Sequence, residues 1–138
     1  MTNAEIAQAQ VEAAFAADWE RLRELYADDL HYVDPDGEFT GAEAAIAHLQ
    51  QQLGPLPDMR LTSTRVYEGA GFAVCEWTAS GTNSGPLTMP DGQVLPPTGR
   101  EIHLSVLTLY DIEDGKITSE RNYYDNMALF EQFGLMDG

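Results

Sequence analysis

Near the C-terminus the segment Arg121-Asn122-Tyr123-Tyr124-Asp125 sets a carboxylate behind two tyrosines, where an apolar strand pattern gives way to a helical one. An acid lodged among aromatic side chains loses hydration, and desolvation raises its pKa toward the range in which it both takes and gives a proton. Strand alternation puts Ile117, Ser119, Arg121, Tyr123 and Asp125 on one side, with the Arg opposing that rise. Asp125 also stands where a helix N-cap is expected, and a capping Asp contributes about 1 kcal/mol without any chemistry. Asp34 is a second candidate acid. It opens Asp34-Pro35-Asp36-Gly37, a strong turn signal in which the carboxylate can bond its own backbone. Two carboxyl groups of different pKa would serve as base and acid. His103, in mid-strand beside Ser105 and Leu107, is a third candidate, as a hydrogen-bond donor to substrate. Trp77 and Tyr123 are expected as pocket walls, Tyr32 as a hydroxyl donor, and Trp19, Arg121 and Leu107 as further substrate-binding surface. His48 and His31 read as solvent-edge histidines.

Other chemistries lack their residues. Cys75, the single cysteine, lies in the apolar run Phe72-Ala73-Val74-Cys75 and reads as a buried, inert thiol. No His, Cys, Asp or Glu spacing suits zinc, and neither a phosphate-binding Gly-rich loop nor a nucleophile elbow is present. No metal or cofactor is expected.

The chain of 138 residues has the length of one domain, and its 43% apolar composition suits a globular one. Its 7 basic and 23 acidic side chains give a formal charge of −16, which argues against nucleic acid and anionic membrane surfaces as partners. One cysteine permits no internal disulfide. With no signal peptide and no apolar run near the ~20 residues of a membrane span, a cytoplasmic location is expected.

The elements that must position the candidates follow from periodicity. Thr2-Asn3-Ala4-Glu5 reads as a capping box, followed by Ile6, Ala7, Val11, Ala14 and Phe15 at helical spacing. Asp18 caps a second helix through Trp19, Leu22, Leu25 and Tyr26, ending at Asp28-Asp29. A short strand spans 30–33. Thr40-Gly41-Ala42-Glu43 reads as another capping box, for a helix that carries Ala45, Ile46, Leu49 and Leu53 to Gly54-Pro55. Strands follow over 60–68, 72–81, 100–112 and 116–124, joined by turns at Gly69-Ala70-Gly71 and Asp114-Gly115. In the third of them Ile102, Leu104, Val106, Thr108 and Tyr110 share a side. Between the second and third strands, residues 83–99 form a long loop or splayed hairpin with a turn at Pro90-Asp91-Gly92. Its Leu87, Met89, Val94 and Leu95 suit a lid or a partner surface. Met127, Leu129, Phe130 and Phe133 form a last helix, ended by Gly134. Helices followed by a strand meander define an α+β class, a curved sheet wrapped around the helices, with a concave face suited to a small-molecule pocket.

The order of elements, with Asp18-Trp19-Glu20, Leu25-Tyr26-Ala27-Asp28-Asp29 and Val33-Asp34-Pro35, resembles the nuclear-transport-factor-2-like fold, a cone-shaped α+β barrel. Glu76-Trp77-Thr78-Ala79-Ser80-Gly81-Thr82, Pro96-Pro97-Thr98-Gly99-Arg100, Asp114-Gly115-Lys116-Ile117, Tyr124-Asp125 and Gln132-Phe133-Gly134 are similar to the SnoaL-like polyketide cyclase group. The likeness runs from about Ala14 to Leu135. It implies a cofactor-free aldol-type cyclase or isomerase acting on a small apolar or aromatic carbonyl compound, with Asp125 as the acid/base. It also implies a homodimer paired through the outer face of the sheet. Val33-Asp34-Pro35 matches the base-bearing segment of ketosteroid isomerase, but Phe15 and the Val106-Leu107 region stand where that enzyme has its oxyanion donors. Arg121-Asn122-Tyr123-Tyr124-Asp125 resembles a segment of limonene-type epoxide hydrolases, whose other Arg and Asp fall at Trp77 and Ala79. The alternatives are an epoxide hydrolase without the usual triad and a non-catalytic binding module of the same fold.

Overall fold

The computed structural model describes residues 1–89 and 91–135. Helices α1 (Asn3–Phe15) and α2 (Trp19–Leu25) precede the hairpin of β1 (Tyr26–Asp34) and β2 (Gly37–Thr40), and α3 (Ala42–Leu53) follows. Then come β3 (Arg60–Gly69), β4 (Phe72–Thr82), the short β5 (Leu87–Thr88) and β6 (Val94–Leu95), β7 (Glu101–Glu113), β8 (Lys116–Tyr123) and α4 (Asn126–Phe133). Six strands make one mixed sheet in the order β2-β1-β8-β7-β4-β3, in which only β1 and β8 run parallel. The sheet is curved and open: β2 and β3 are its two edges, so the expected cone does not close into a barrel. Helices α1, α3 and α4 pack on β3–β4, β1 and β7 respectively.

Local chemistry sets these elements. The Thr2–Glu5 capping box closes reciprocally, Glu5 N donating to Thr2 Oγ1 at 3.1 Å and Thr2 N to Glu5 Oε1 at 2.9 Å. Helix α1 buries Ile6, Ala7, Val11, Ala13 and Ala14, small side chains that let it lie close to the sheet. The second expected capping box does not form. Gly41 is the N-cap of α3, at φ 96, with no side-chain cap, a backbone conformation that glycine adopts without penalty. Thr40 is instead paired in β2 with His31, and Glu43 pairs with Arg23 at 2.8 Å. The second helix is also shorter than expected. Tyr26 is fully buried at the start of β1, because its hydroxyl has partners inside the core.

One irregularity decides what the last strand presents. Pairing of β8 with β7 passes from Asp111↔Ser119 to Ile112↔Ile117, so Thr118 is an extra residue in β8. A one-residue insertion reverses inside and outside. Ile117 points inward before the bulge; beyond it Glu120 and Asn122 are buried while Arg121 and Tyr123 turn outward. The expected common side for Ile117, Ser119, Arg121, Tyr123 and Asp125 is therefore not realised. In β7, which is regular along this stretch, Ile102, Val106, Thr108 and Tyr110 are buried on the inner side as expected.

Residues 83–99 fold back as the β5–β6 hairpin; Pro90, part of the turn expected there, lies outside the described residues. The hairpin is tied down by Asn83, whose Nδ2 donates to Pro55 O (3.1 Å) and Gly85 O (2.9 Å) while Oδ1 accepts from Thr98 N and Oγ1. Gly85 passes so close to α3 that a Cβ would lie 2.3 Å from Gly54 O. Gly85→Ala is therefore expected to cost about 1–3 kcal/mol, read as a lowered denaturant midpoint, and to speed proteolysis of the hairpin. Cys75 is buried, and burial pushes its thiol up to about 11, as suits an inert side chain.

Candidate active site

A cavity of about 360 Å³ lies between the inner face of the sheet and the helices. Apolar side chains dominate its wall, among them Phe15, Phe39, Trp77, Leu104, Phe130 and Phe133, and Leu87 and Met89 of the β5–β6 hairpin cover one side. Two polar groups interrupt this surface.

The first is built around Glu120. The bulge in β8 turns this carboxyl group inward, where it is 2% exposed. Oε1 accepts from the Tyr26 hydroxyl at 2.8 Å and Oε2 from Asn122 Nδ2 at 3.0 Å. Burial raises its pKa and the charge of Asp34 adds to the rise, while the Asn122 and Tyr26 hydrogen bonds oppose it; the outcome is about 7. Each donor is held from behind. Tyr26 accepts from Gln10 Nε2 (3.0 Å), whose Oε1 accepts from the Tyr110 hydroxyl. Asn122 Oδ1 accepts from Thr108 Oγ1 (2.7 Å), which accepts from the Trp77 indole (2.9 Å).

The second is the pair of Asp34 and His48. Asp34 ends β1, where the turn begins, and Asp36 N donates to its Oδ1 at 2.8 Å. Its Oδ2 meets His48 Nε2 at 2.7 Å and accepts from the Tyr32 hydroxyl and Gln52 Nε2, each at 3.0 Å. Burial would raise this carboxyl group, but the bonds and charge of His48, the Asp36 amide and the Tyr32 hydroxyl together hold its pKa below the ordinary value. His48 Nε2–H donates a hydrogen bond to the ionised Asp34, which leaves Nδ1 as the imidazole's free nitrogen. Nδ1 has no hydrogen-bond partner among the described residues. The ring is stacked on Phe39 at 4.2 Å and lines the cavity. Nearby, burial and the charges of Asp34 and Asp36 push the Tyr124 hydroxyl above its ordinary pKa, so it remains a donor.

Donor atoms of Asp34, Asp36 and His48 lie within 4.8 Å of one another, a spacing a metal ion could bridge. These atoms are already engaged. Gln52 Nε2 stands 3.0 Å from Asp34 and 3.1 Å from Asp36, between the two carboxylates. The set therefore fits a closed hydrogen-bond network.

Of the residues singled out in the sequence, Asp34, Tyr32 and Trp77 come together here. The others do not. Asp125 is the N-cap of α4, accepting from Ala128 N at 3.0 Å, exposed and outside the cavity wall. His103 faces outward with its side chain 66% exposed, because β7 has regular alternation and the inner positions belong to Ile102 and Leu104. Arg121 and Tyr123 are outside because of the bulge, Arg121 lying 3.6 Å from Asp111. Leu107 is exposed opposite Tyr123 on the same outer face, and Trp19 packs against the core cluster away from the cavity. Glu120 and His48 were not expected. A signal for His48 was present, since Ala45, His48, Leu49 and Gln52 share one helix face.

The mixed α+β fold, with helices across the inner face of an open curved sheet, is ketosteroid isomerase-like. Within it the chain belongs to the SnoaL-like domain family, whose pattern matches residues 7–120. Similar solved structures include a proposed SnoaL-like polyketide cyclase from Jannaschia sp. CCS1, at 20% identity and TM-score 0.83, covering 95% of this chain and 90% of that one. A proposed polyketide cyclase from Pseudomonas putida KT2440 has 24% identity and TM-score 0.82, covering 96% and 98%. IdmH, a proposed polyketide cyclase from Streptomyces antibioticus, has 24% identity and TM-score 0.78, covering 97% and 99%. At these identities the likeness establishes the fold. No curated protein matches the sequence significantly.

Proposed function

We propose that this chain is a cofactor-free general acid/base enzyme acting on a polyketide-like or other apolar cyclic carbonyl compound, closing a ring by aldol addition or shifting a double bond. The observation that carries the reading is Glu120, a carboxyl group removed from solvent, at the wall of an apolar cavity, with a pKa of about 7. A buried acid half-ionised near neutral pH can take a proton from carbon and give it back. The polyketide cyclase descriptions of the solved neighbours support the substrate class.

In this reading the Glu120 carboxylate takes the proton from the carbon beside a carbonyl. The Tyr124 hydroxyl meets the enolate oxygen as its charge develops. The enolate carbon bonds to a second carbonyl carbon, and protonated His48, held by Asp34, gives its Nδ1 proton to the new alkoxide. The proton on Glu120 then passes through solvent to the imidazole, which restores both groups, so the aldol addition conserves all atoms. The same proton-transfer pair would shift a double bond without the carbon–carbon step. Tyr32 serves by fixing Asp34. The homodimer through the outer face, where Leu107 and Tyr123 oppose each other in register, belongs to the same proposal.

The wall of the cavity contains Asp36 and Glu120 and neither Lys nor Arg among the described residues. A substrate without an anionic group fits that wall. A carboxylate-bearing ring compound is expected to bind at least about tenfold more weakly than its methyl ester, since a like charge in a low-dielectric site costs more than 1 kcal/mol. The gap narrows as pH falls below 7 and Glu120 takes its proton; a calorimetric titration at pH 5.5 and 8 measures it.

Deuterium exchange separates enzyme from binding module. In deuterated water the protein should exchange the hydrogens beside the carbonyl of a bound polycyclic 1,3-diketone, and Glu120→Gln should bind the compound without exchanging them. Equal exchange by both chains would sink the reading.

A further inference from the structure

We propose that Trp77, Thr108 and Asn122 are positioning residues: they fix the direction of the hydrogen bonds that reach Glu120, so that the carboxyl group meets only donors and its ionisation is felt at the Trp77 indole. The inference deepens the acid/base reading of Glu120 and rests on that reading for its catalytic meaning.

The direction follows from what each group can do. An indole N–H only donates. Trp77 Nε1 lies 2.9 Å from Thr108 Oγ1, so the threonine oxygen accepts there. Its own proton is then free for Asn122 Oδ1, 2.7 Å away. With its carbonyl oxygen occupied, Asn122 turns its NH2 to Glu120 Oε2 at 3.0 Å and to Val33 O at 3.4 Å. Turning the amide over would set Oδ1 against the carboxylate and the Val33 carbonyl together. It would also leave the Thr108 oxygen facing two donors, the Trp77 indole and the turned amide. The other oxygen of Glu120 is governed alike. The Tyr110 hydroxyl donates to Gln10 Oε1, so Gln10 Nε2 donates to Tyr26, and the Tyr26 proton goes to Glu120 Oε1 at 2.8 Å.

Two arms thus end on the carboxyl group as donors. A protonated Glu120 accepts from them more weakly than the carboxylate does. The arms oppose the proton uptake that burial favours, and this keeps the group able to change its charge. Thr108 is 1% exposed and Asn122 8%, so water does not relax this polarity from outside. The titratable groups facing Glu120 are Tyr26, Tyr32 and Asp34 on β1 and Tyr110 on β7. Helix α1 presents the uncharged Gln10, and His48 of α3 stands beyond Asp34.

The test needs no substrate. The chain has two tryptophans, so the indole N–H region of a nitrogen-15 spectrum holds two signals, assigned by Trp77→Phe. Through pH 5–9 the Trp77 signal should move with the same midpoint as the Glu120 carboxyl carbon, while that of Trp19 does not follow it. In Glu120→Gln the Trp77 response should vanish. Thr108→Val should uncouple the indole and raise the Glu120 midpoint by about one pH unit, the effect of weakening one hydrogen bond to a charged group. Thr108→Ser should restore both. A Trp77 signal that stays flat while Glu120 titrates overturns the proposal, as does an unchanged Glu120 midpoint in Thr108→Val. If the valine chain does not fold, Trp77→Phe removes the first donor and keeps a ring; an unchanged midpoint there also overturns it. A wild-type Glu120 titrating in the ordinary carboxylate range would remove the support for the acid/base reading, while the Thr108 comparison still decides this one.

Discussion

Glu120→Gln is expected to abolish turnover and, independently, to change how stability depends on pH. Proton transfer by a positioned side chain contributes about 10²–10⁴-fold, so a loss of that size is expected wherever a substrate is turned over. The stability effect follows from linkage. The folded pKa of Glu120 is raised from 4.5 to about 7, so the native state binds this proton more tightly than the unfolded chain does. A raised carboxyl pKa is a stability loss with rising pH: it begins above the unfolded value and is complete once pH has passed the folded one. The difference between 4.5 and about 7 corresponds to roughly 3 kcal/mol. Gln carries no charge and escapes this loss. It still leaves one of the Tyr26 and Asn122 donors facing an NH2, at about 1–2 kcal/mol. The wild-type chain should therefore be the more stable near pH 5 and the variant near pH 8. Thermal melts across that range would show the two curves crossing. Parallel curves would mean that Glu120 titrates as an ordinary exposed acid.

Which parts of this molecule were legible in the sequence depends on how local their causes are. The Thr2–Glu5 box, the Asp34-Pro35-Asp36-Gly37 turn, the Asp114-Gly115 hairpin and the alternation of β7 are decided within a few residues, and all form. Asp34 was legible as an acid through its Asp-Pro-Asp-Gly turn, and Tyr32 and Trp77 through their aromatic rings in strands of a pocket-forming sheet, all local features. Glu120 was not, because Thr118 is inserted into β8 and every parity count carried past it is reversed. In the unbroken count Glu120 faces solvent and Arg121 faces the cavity. His48 was set at the solvent edge because its partner is 14 residues away on another element, and periodicity carries no information about that contact. Asp125 shows the reverse, a residue with two local readings of which the structure displays the cap. A carboxylate behind two tyrosines looked like a pocket acid, but a helix N-terminus in the next residues satisfied it locally.

The two aspartates that the sequence offered as acids should now respond oppositely to the same substitution. Asp125→Asn replaces one good N-cap by another, so stability should change by only a few tenths of a kcal/mol and turnover hardly at all. Asp34→Asn alters a carboxylate whose side chain is fully buried and which accepts four hydrogen bonds. The new amide can accept at one atom only, and its NH2 confronts the remaining donors. Removing one partner of a buried pair costs about 3–5 kcal/mol. The pH dependence has the sign opposite to that of Glu120. The folded pKa of Asp34 lies below the ordinary 3.8, so its contribution is present above that value and is lost as pH falls through the lower, folded one. The gap between wild type and Asp34→Asn should thus be widest near neutral pH and shrink toward pH 3. Since Glu120 erodes stability on the alkaline side and Asp34 on the acid side, these two groups together place the stability maximum of the wild-type chain between about pH 4 and 5. Turnover should fall with Asp34→Asn as well, by about 10²–10⁴-fold, because His48 loses the carboxylate that orients its ring and stabilises its charge. A chain in which Asp125→Asn is the damaging substitution, and Asp34→Asn is tolerated, would return the chemistry to the end of the last strand.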